Sequence, residues 1–479
     1  MLPEDPRRFE PALSSLRNGS AGCETGPCLV RGWEAAIDPN PTLVGREREI
    51  ALLREAVDHA ASGRARSVLL AGEPGIGKSA LADEAAVYAT KSGALTLWGS
   101  CWEGEGAPAF WPWVQIIRAY AAGRRTDDLY AAMGDGAADI ARLVPEVGGR
   151  FLSLSPADET GPDQARFRLF DHVARFLRAA AETQPLLLVF DDLHWADRES
   201  LTLLRFFITA TRDARVLVLG TYRDVELSAD NALRDAIADL GADRLALRGL
   251  NRDDVGALIR ATTGTEPAAG LTEAIFGKTT GNPLFVKEVA RLLAAQGRLE
   301  GSPASAYAIP EGVRDVVRRR LAHLDQGAVE LLGAASVLGP EFAIDALGAL
   351  IERPVAFVAD LLAEPQAARI VAEVPETVGR YAFTHALVRD VVYEDLGPAT
   401  RAGLHWRAGE LLEQKLGGEA KASEIAHHLV NGATRGDPER AADAAIRAGR
   451  IALRMYAWDR AADLYTRALD ALELGNAAM

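Results

Sequence analysis

Cysteine is scarce in this sequence, and long apolar runs are missing from it. The 479 residues include three cysteines, Cys23, Cys28 and Cys101, without the paired spacing of a zinc site or a disulfide framework. No apolar stretch approaches the roughly 18 residues that a membrane span needs. The first residues, from Met1 to Pro6, have no hydrophobic segment of the kind found in secretory signals. We therefore expect no thiol-bound metal, no membrane span and a cytoplasmic location.

Positive charge is also in short supply. Lys and Arg number 53 against 67 Asp and Glu, which gives a formal net charge of -14. This balance is a poor match for a nucleic-acid backbone or an anionic membrane surface. The 48% of hydrophobic residues and 25% of charged residues are ordinary for a globular protein, and the length predicts several domains.

Short apolar runs alternate with helical patterns over the first half of the chain. Strands that are buried on both faces appear in a sequence as continuous apolar runs, so this pattern predicts an α/β fold with a parallel sheet between helices. Beyond about residue 250, helical patterns dominate. The predicted strands lie at 68–71, 95–98, 186–190, 216–219 and 245–247, with a further short one at 380–383.

A glycine-rich segment joins the first predicted strand to a helix and has the pattern G-x-x-x-x-G-K-S. Glycines allow backbone N–H groups to approach phosphates without Cβ clashes. Lys78 would reach the β- and γ-phosphates, Ser79 would bind Mg²⁺, and the helix would add the positive end of its dipole. The predicted nucleotide-binding residues are Gly72, Glu73, Pro74, Gly75, Ile76, Gly77, Lys78, Ser79 and Ala80.

Polar side chains follow two other predicted strands. Asp191 would hold Mg²⁺ and Asp192 would orient or deprotonate the attacking water; taken alone, they would be an acidic turn. Arg223 would sense the γ-phosphate and stabilise its developing charge, or it is a surface arginine. Whether His194 contacts the phosphates or packs in the core stays open.

Several segments together resemble a known family. They are Leu43–Glu47, the glycine-rich segment, Ala107–Trp113, Asp191–Asp197, Thr221–Asp224, Gly281–Phe285 and Phe383–Arg389. In this order they are similar to the STAND-class AAA-like P-loop ATPases, and in particular to the ATPase region of the large LuxR-type bacterial regulators and their cyclase-linked relatives.

The resemblance implies ATP or ADP as the nucleotide and assigns further residues to it. Gly45 and Arg46 would lie near the adenine, and Pro283, on a helical lid, would pack against the base. His385 would touch the ADP phosphate, although a buried structural histidine is the alternative. Self-association on ATP binding and an inducer or protein partner on a helical arm are implied as well. The large regulators end in a DNA-reading helix-turn-helix, and no such reader is found here.

The chain is accordingly divided into five predicted parts. A helical pair near the end has Gly449, Ala461, Tyr465 and Ala468 at the spacing of a tetratricopeptide (TPR) repeat, although any Ala-rich pair would fit. Either this pair starts a longer array or it docks on the body of the chain. The parts are a disordered leader (1–40), an AAA/ASCE-type P-loop core (41–250), a helical lid (251–309), a winged-helix-like domain (310–400) and a TPR-like helical segment (401–479), which is truncated if the pair starts a longer array.

These features predict a slow, ATP-hydrolysing switch in bacterial signal transduction or transcription control, which opens and self-associates according to its nucleotide. One alternative is a nucleotide-binding scaffold with negligible turnover, since Asp192 stands where many AAA enzymes carry Glu. The other is a DNA-loading AAA ATPase, which the acidic balance disfavours.

Overall fold

The computed structural model describes most of the chain beyond the predicted leader. The leader (1–40), with Cys23 and Cys28, lies outside the described residues, as do Asp224 and the end of the predicted lid. The described ranges are 43–101, 106–151, 161–223, 231–268, 270–299, 312–374, 377–416 and 421–477.

A five-stranded parallel sheet forms the centre of the first part, as the apolar runs predicted. Its strand order is β2-β3-β4-β1-β5, and every pairing is parallel. The last strand begins earlier than predicted because it is an edge strand whose first, polar residues remain exposed. The strands are β1 (Arg66–Ala71), β2 (Leu95–Ser100), β3 (Leu186–Asp191), β4 (Val216–Tyr222) and β5 (Asp243–Ala246).

Helices cover both faces of this sheet. Along β3, Leu187 and Val189 join one buried apolar cluster, while Leu188 and Phe190 join the other, so alternate side chains serve opposite faces. The helices are α1 (Glu47–Ala61), α2 (Lys78–Lys91), α3 (Trp111–Ala121), α4 (Thr126–Met133), α5 (Ala137–Leu143), α6 (Pro145–Gly148), α7 (Pro162–Thr183), α8 (Arg198–Ala210) and α9 (Asn231–Ala238).

The strand order determines which chain segments meet. Because all five strands are parallel, their carboxyl ends share one edge of the sheet, and β4 lies between β1 and β3. The glycine-rich segment after β1, Asp191 at the end of β3 and Arg223 after β4 are therefore neighbours at that edge.

The middle of the chain is mainly helical. One small core joins α10 (Arg252–Thr263), α11 (Leu271–Thr279) and α12 (Pro283–Ala295). A second core surrounds a three-stranded antiparallel sheet of order β6-β8-β7. The elements of this second unit are α13 (Val313–Leu321), α14 (Gln326–Leu338), β6 (Glu341–Ala343), α15 (Ile344–Leu350), α16 (Val355–Ala367), β7 (Val371–Glu373), β8 (Arg380–Phe383) and α17 (Ala386–Glu394).

Four helices close the described chain, and the last two form an antiparallel hairpin, called here the helical hairpin (438–477). Gly449 faces the ring of Tyr465 so closely that a Cβ would lie 2.8 Å from it. Ala445 and Ala461 share a buried cluster with α3 and α8, so the hairpin docks on the body of the chain. The helices are α18 (Pro398–Leu416), α19 (Ala422–Gly432), α20 (Pro438–Arg454) and α21 (Trp458–Ala477).

None of the helices in the described part of the chain combines the length and the apolar character that crossing a membrane requires.

Candidate functional site

The glycine-rich segment wraps around the start of α2. Gly77 at the N-cap has φ 104° and Gly75 has φ 76°, values that favour glycine. A Cβ on Gly75 would also lie 2.5 Å from the Cβ of Leu284. The ammonium of Lys78 donates to the carbonyl oxygens of Gly72 (3.1 Å) and Glu73 (3.0 Å). The loop therefore holds its cation at the helix N-terminus, where anions bind.

Asp191 and Ser79 meet across the edge of the sheet, as predicted. The Ser79 hydroxyl lies 3.4 Å and 3.5 Å from the two carboxylate oxygens. The hydroxyl of Thr221 donates to the same carboxylate. Burial raises the pKa of Asp191, while the bonds from Thr221 and Ser79 and the charge of Lys78 act in the opposite direction.

These hard oxygen donors fit Mg²⁺, which typically takes one or two protein ligands and completes its shell with phosphate and water oxygens. No cluster of three or more His, Cys, Asp or Glu able to hold a metal occurs among the described residues. Thr221 was not predicted as a site residue; its position as a polar side chain ending an apolar strand is the signal that could have found it.

Asp192 has an unusual backbone for a non-glycine residue, with φ 56° and ψ 47°. Its N–H donates to the Thr221 hydroxyl at 2.9 Å, and it lines the cavity described below. Its Oδ1 lies 3.7 Å from Nδ1 of His194. Burial, followed by the charges of Arg223 and Lys78, lowers the pKa of His194 to about 2. His194 is therefore a neutral, buried neighbour of Asp192 and is not among the residues that line the cavity.

The predicted lid is bonded directly to the glycine-rich loop. Asn282 donates from its side chain to the carbonyl of Pro74 (3.0 Å), and the N–H of Leu284 donates to the carbonyl of Gly75 (3.2 Å). The Asn282 oxygen also caps α12 by accepting from the N–H of Leu284. Asn282 and Leu284 were not predicted to contact the glycine-rich loop. The Asn-Pro pair, a typical N-cap followed by proline at N1, is the signal that marks this helix start.

Arg46 supports the loop from the other side. Its guanidinium is buried and donates to the carbonyls of Ile76 (3.0 Å) and Arg248 (2.7 Å). The preceding Gly45 has φ 68°, and a Cβ there would lie 2.2 Å from the carboxylate of Asp254. Arg46 lines the cavity, whereas Gly45 sets the close approach of the two segments.

One cavity of about 510 Å³ collects most of the predicted site residues. Gly72, Glu73 and Asp191 are not part of its lining, but they contact Lys78 or Ser79, which are. Apolar side chains, among them Leu43 and Leu258, line it together with charged ones. The predicted residues in its lining are Arg46, Pro74, Gly75, Ile76, Gly77, Lys78, Ser79, Ala80, Asp192, Arg223, Pro283 and His385.

His385 enters this cavity from the second helical unit. Its Nδ1 accepts from the N–H of Leu387 at 3.1 Å and so caps α17. Burial, followed by the charges of Arg223, Lys78 and Lys287, lowers its pKa to about 3. The imidazole is therefore neutral, and its proton is on Nε2.

This half-buried histidine makes the stability of the chain depend on pH. The pKa of His385 is about 3 in the folded chain and 6.5 ordinarily, so the unfolded state binds more protons between these values. The stability contribution is complete above pH 6.5 and is lost as pH falls. As the pH falls from 6.5 to 5, the free energy of unfolding of the wild type should decrease more steeply than that of His385→Asn, by up to about 1.4 kcal/mol per pH unit. The asparagine side chain keeps the cap.

Urea-induced unfolding at a series of pH values measures this difference. His323→Asn, at an exposed position away from the cavity, is the control. If the free energy of unfolding had the same pH dependence in the wild type and in His385→Asn, the His385 imidazole would not be held neutral in the folded chain.

Comparisons with known proteins agree with this geometry. The family model for the AAA ATPase domain matches residues 42–219. An uncharacterized protein of Rhizobium meliloti (strain 1021) is 26% identical over 401 residues, which cover 78% of this chain and 37% of that protein. The chain thus spans well under half the length of this curated relative.

Two solved structures show different degrees of similarity to this chain. The Signal Transduction ATPase with Numerous Domains (STAND) protein with a tetratricopeptide repeat sensor from Pyrococcus horikoshii matches with a TM-score of 0.52 and 14% identity, covering 91% of this chain and 60% of that chain. The Orc1 protein of Aeropyrum pernix, solved with DNA, matches only weakly, with a TM-score of 0.35 and 14% identity. The match covers 76% of this chain and 96% of that chain.

The similarity to the STAND protein concerns the fold alone. It extends beyond the parallel sheet to the helical units, as the sequence resemblance predicted. The loop around Lys78, the Ser79–Asp191 contact and the family match lead to one conclusion: residues 42–219 match the AAA ATPase domain and contain a P-loop, in a chain whose fold is similar to that of the STAND protein.

Proposed function

We propose that this chain is a slow, regulatory ATPase switch that is closed around ADP and opens when ATP replaces it. The observation that carries the proposal is the shared cavity. Lys78 and Arg223 come from the ATPase domain, Pro283 and Lys287 from the helical lid, and His385 from the second helical unit. A nucleotide in this cavity would contact all three parts at once, so its phosphates would bias their arrangement.

The charges in the cavity support a polyphosphate ligand. Lys78, Arg223 and Lys287 line the cavity together with His385, and their charges contribute to the lowered pKa of that histidine. The Nε2–H of a neutral His385 is a hydrogen-bond donor, as a phosphate oxygen requires. Mg²⁺, held by Ser79 and Asp191, would neutralise charge on the phosphates. The adenine would occupy the apolar side near Leu43, Leu258 and Pro283.

The regulatory part of the proposal concerns what controls opening. The helical hairpin is packed on the ATPase domain, so a ligand or protein that binds the helices could change this packing. Opening would expose surfaces for self-association, and a cation from a neighbouring copy would then complete the site. Slow turnover in the isolated closed chain follows from this arrangement, and the setting would be bacterial signal transduction or transcription control.

Nucleotide content and turnover test the proposal. The purified protein is denatured, its nucleotide is identified by chromatography, and ATP hydrolysis is measured over a range of protein concentrations. We expect ADP close to one per chain and a specific activity that rises with protein concentration. An empty protein that is inert to both ATP and GTP would refute a nucleotide switch, and fast turnover independent of concentration would refute the closed resting state.

Asp192 separates this proposal from a nucleotide-binding scaffold. The scaffold is favoured by the short Asp192 side chain, whose carboxylate approaches His194. If Asp192 activates water, Asp192→Asn should lower kcat about 100-fold or more, because general-base catalysis contributes roughly 10²–10⁴-fold.

Nucleotide affinity should change little in this variant, since the loop around Lys78 is intact. Steady-state hydrolysis and ADP titration measure the two effects separately, and Asp213→Asn, at an exposed position after the end of α8, is a matched carboxylate change. Equal turnover in Asp192→Asn and the wild type would favour the scaffold.

A further inference from the structure

The start of α21 lacks a cap of its own. The N–H of Ala461 donates to the carbonyl of Ala457 at 3.0 Å, so Ala457 occupies the N-cap position. Alanine has no side-chain acceptor for the free N–H groups of the first turn. The neighbouring helix α20 contrasts with it, because its N-cap Asp437 accepts from the N–H of Glu439 at 2.9 Å.

A carboxylate from the ATPase domain takes this place. Oε1 of Glu199 accepts from the N–H of Asp459, in the first turn of α21, at 3.2 Å. Glu199 is only 6% exposed although it is a charged residue. A buried carboxylate at a helix N-terminus satisfies a free donor and interacts favourably with the helix dipole.

Other contacts from the ATPase domain hold the same end of the hairpin. Arg142 on α5 donates to the hydroxyl of Tyr456 at 2.6 Å, and the guanidinium of Arg166 on α7 lies 4.7 Å from the ring centre of Trp458. Arg198 lies 3.5 Å from the carboxylate of Asp459. The turn that joins α20 to α21 is therefore fixed to three helices of the ATPase domain.

Charge complementarity extends into the buried part of this junction. Arg460 is largely buried there; burial lowers its pKa, and the carboxylates of Asp463, Asp197 and Glu199 act in the opposite direction. The charge of Glu199 thus acts on this buried guanidinium, while its carboxylate accepts from the N-terminus of α21.

The position of Glu199 connects this junction to the nucleotide site. It belongs to the first turn of α8, whose N-cap Asp197 accepts from the N–H of Ser200 at 2.8 Å. A single 3₁₀ turn, Leu193–Trp195, separates this helix start from Asp191 and Asp192. The helix that the ATPase domain uses to hold the hairpin is therefore the one that directly follows Asp191 and Asp192, the carboxylates proposed to act on nucleotide.

We infer that Glu199 is a positioning residue that caps α21 from within the ATPase domain and thereby couples the helical hairpin to the Asp191–Asp192 segment. The cap itself is a property of the fold. The coupling to nucleotide rests on the proposed function.

Amide hydrogen exchange of the full chain tests the cap directly. In Glu199→Ala, we expect exchange at residues 458–461 to be about fivefold faster, the effect of losing a typical N-cap. Glu199→Gln keeps a side-chain carbonyl and should recover most of the protection. Glu439→Ala, an exposed glutamate in the first turn of α20, should leave these amides unchanged, and unchanged protection of β1 amides shows that the fold is intact. If the amides of residues 458–461 exchanged as slowly in Glu199→Ala as in the wild type, the proposed cap would be wrong.

Addition of Mg²⁺ and ADP tests the coupling. In the wild type, ADP should change exchange at residues 458–461, and Glu199→Ala should lose this response while it still binds ADP. An equal response in both proteins, or none in a wild type that binds ADP, would overturn the coupling. A wild type that fails to bind ADP would instead refute the proposed function, and the exchange of the nucleotide-free proteins would still decide the cap.

Discussion

Lys78→Ala should abolish nucleotide retention while the chain remains folded. The ammonium is the charged donor that the loop holds at the start of α2, with two backbone carbonyls as its partners. Loss of one member of a buried, hydrogen-bonded charge pair costs about 2–5 kcal/mol, so the Kd for ADP should rise about 30-fold or more. Stoichiometric ADP in the purified wild type should fall to an undetectable amount in the variant, as measured by chromatography after denaturation.

The control lies at the other end of the same helix. Lys91 is exposed in the last turn of α2, so Lys91→Ala removes the same charge from the helix but not from the loop. Isothermal titration with ADP should give the wild-type Kd for Lys91→Ala. If Lys78→Ala bound ADP as tightly as the wild type, the nucleotide would have to bind outside the P-loop.

Arg320→Ala should destabilise the closed arrangement more than any exposed arginine change on the same helix. The guanidinium of Arg320 on α13 donates to the carboxylate of Glu288 on the lid helix α12. It also donates to the carbonyls of Ala368 and, at 3.3 Å, Arg369 near the end of α16. One side chain therefore joins three helices around the cavity, which Glu288 and Arg369 both line.

The expected loss is about 3 kcal/mol in the free energy of unfolding, because removing one partner of the buried Glu288 carboxylate is costly. Glu288 is almost fully buried, and Arg291, at 3.0 Å, remains its partner, so the value lies at the low end for such pairs. Urea-induced unfolding measures it. Arg314 lies on the same helix as Arg320 and forms a half-exposed pair with Glu394 on α17. Arg314→Ala should therefore cost only about 0–1 kcal/mol. Equal losses in the two variants would contradict the special role of Arg320.

A second comparison separates charge from packing at this contact. Replacing both partners in Glu288→Leu/Arg320→Met removes the charges together and should recover much of the stability that Arg320→Ala loses. Failure of the double variant to recover would mean that the carbonyl contacts of Arg320, and not its charge pair, dominate.

The nucleotide site could be predicted from the sequence alone because its signals are local. The G-x-x-x-x-G-K-S segment needs no distant residue to be recognised, and each strand of the sheet is a continuous apolar run. The same runs predicted that Asp191 and Arg223 lie at one edge, since parallel strands end on the same side. The resemblance added Pro283 and His385, and both line the cavity.

What the sequence left undetermined concerns contacts between segments that are far apart in the chain. Nothing local distinguishes Glu199 from any acidic residue in a first helical turn, and its partner, Asp459, lies 260 residues away. Asn282, Leu284, Glu288 and Arg320 present the same difficulty, because their partners are backbone carbonyls or a buried charge on another element.

The division between the two kinds of information has a simple physical reason. Backbone conformation, strand burial and phosphate binding follow from residues within one turn or one strand, so the sequence determined the P-loop and the sheet. Burial of a charged side chain is decided only when separate elements pack together, since the cost of desolvation must be offset by a partner from elsewhere. Tertiary structure alone therefore decided how the lid, the second helical unit and the helical hairpin are attached to the ATPase domain.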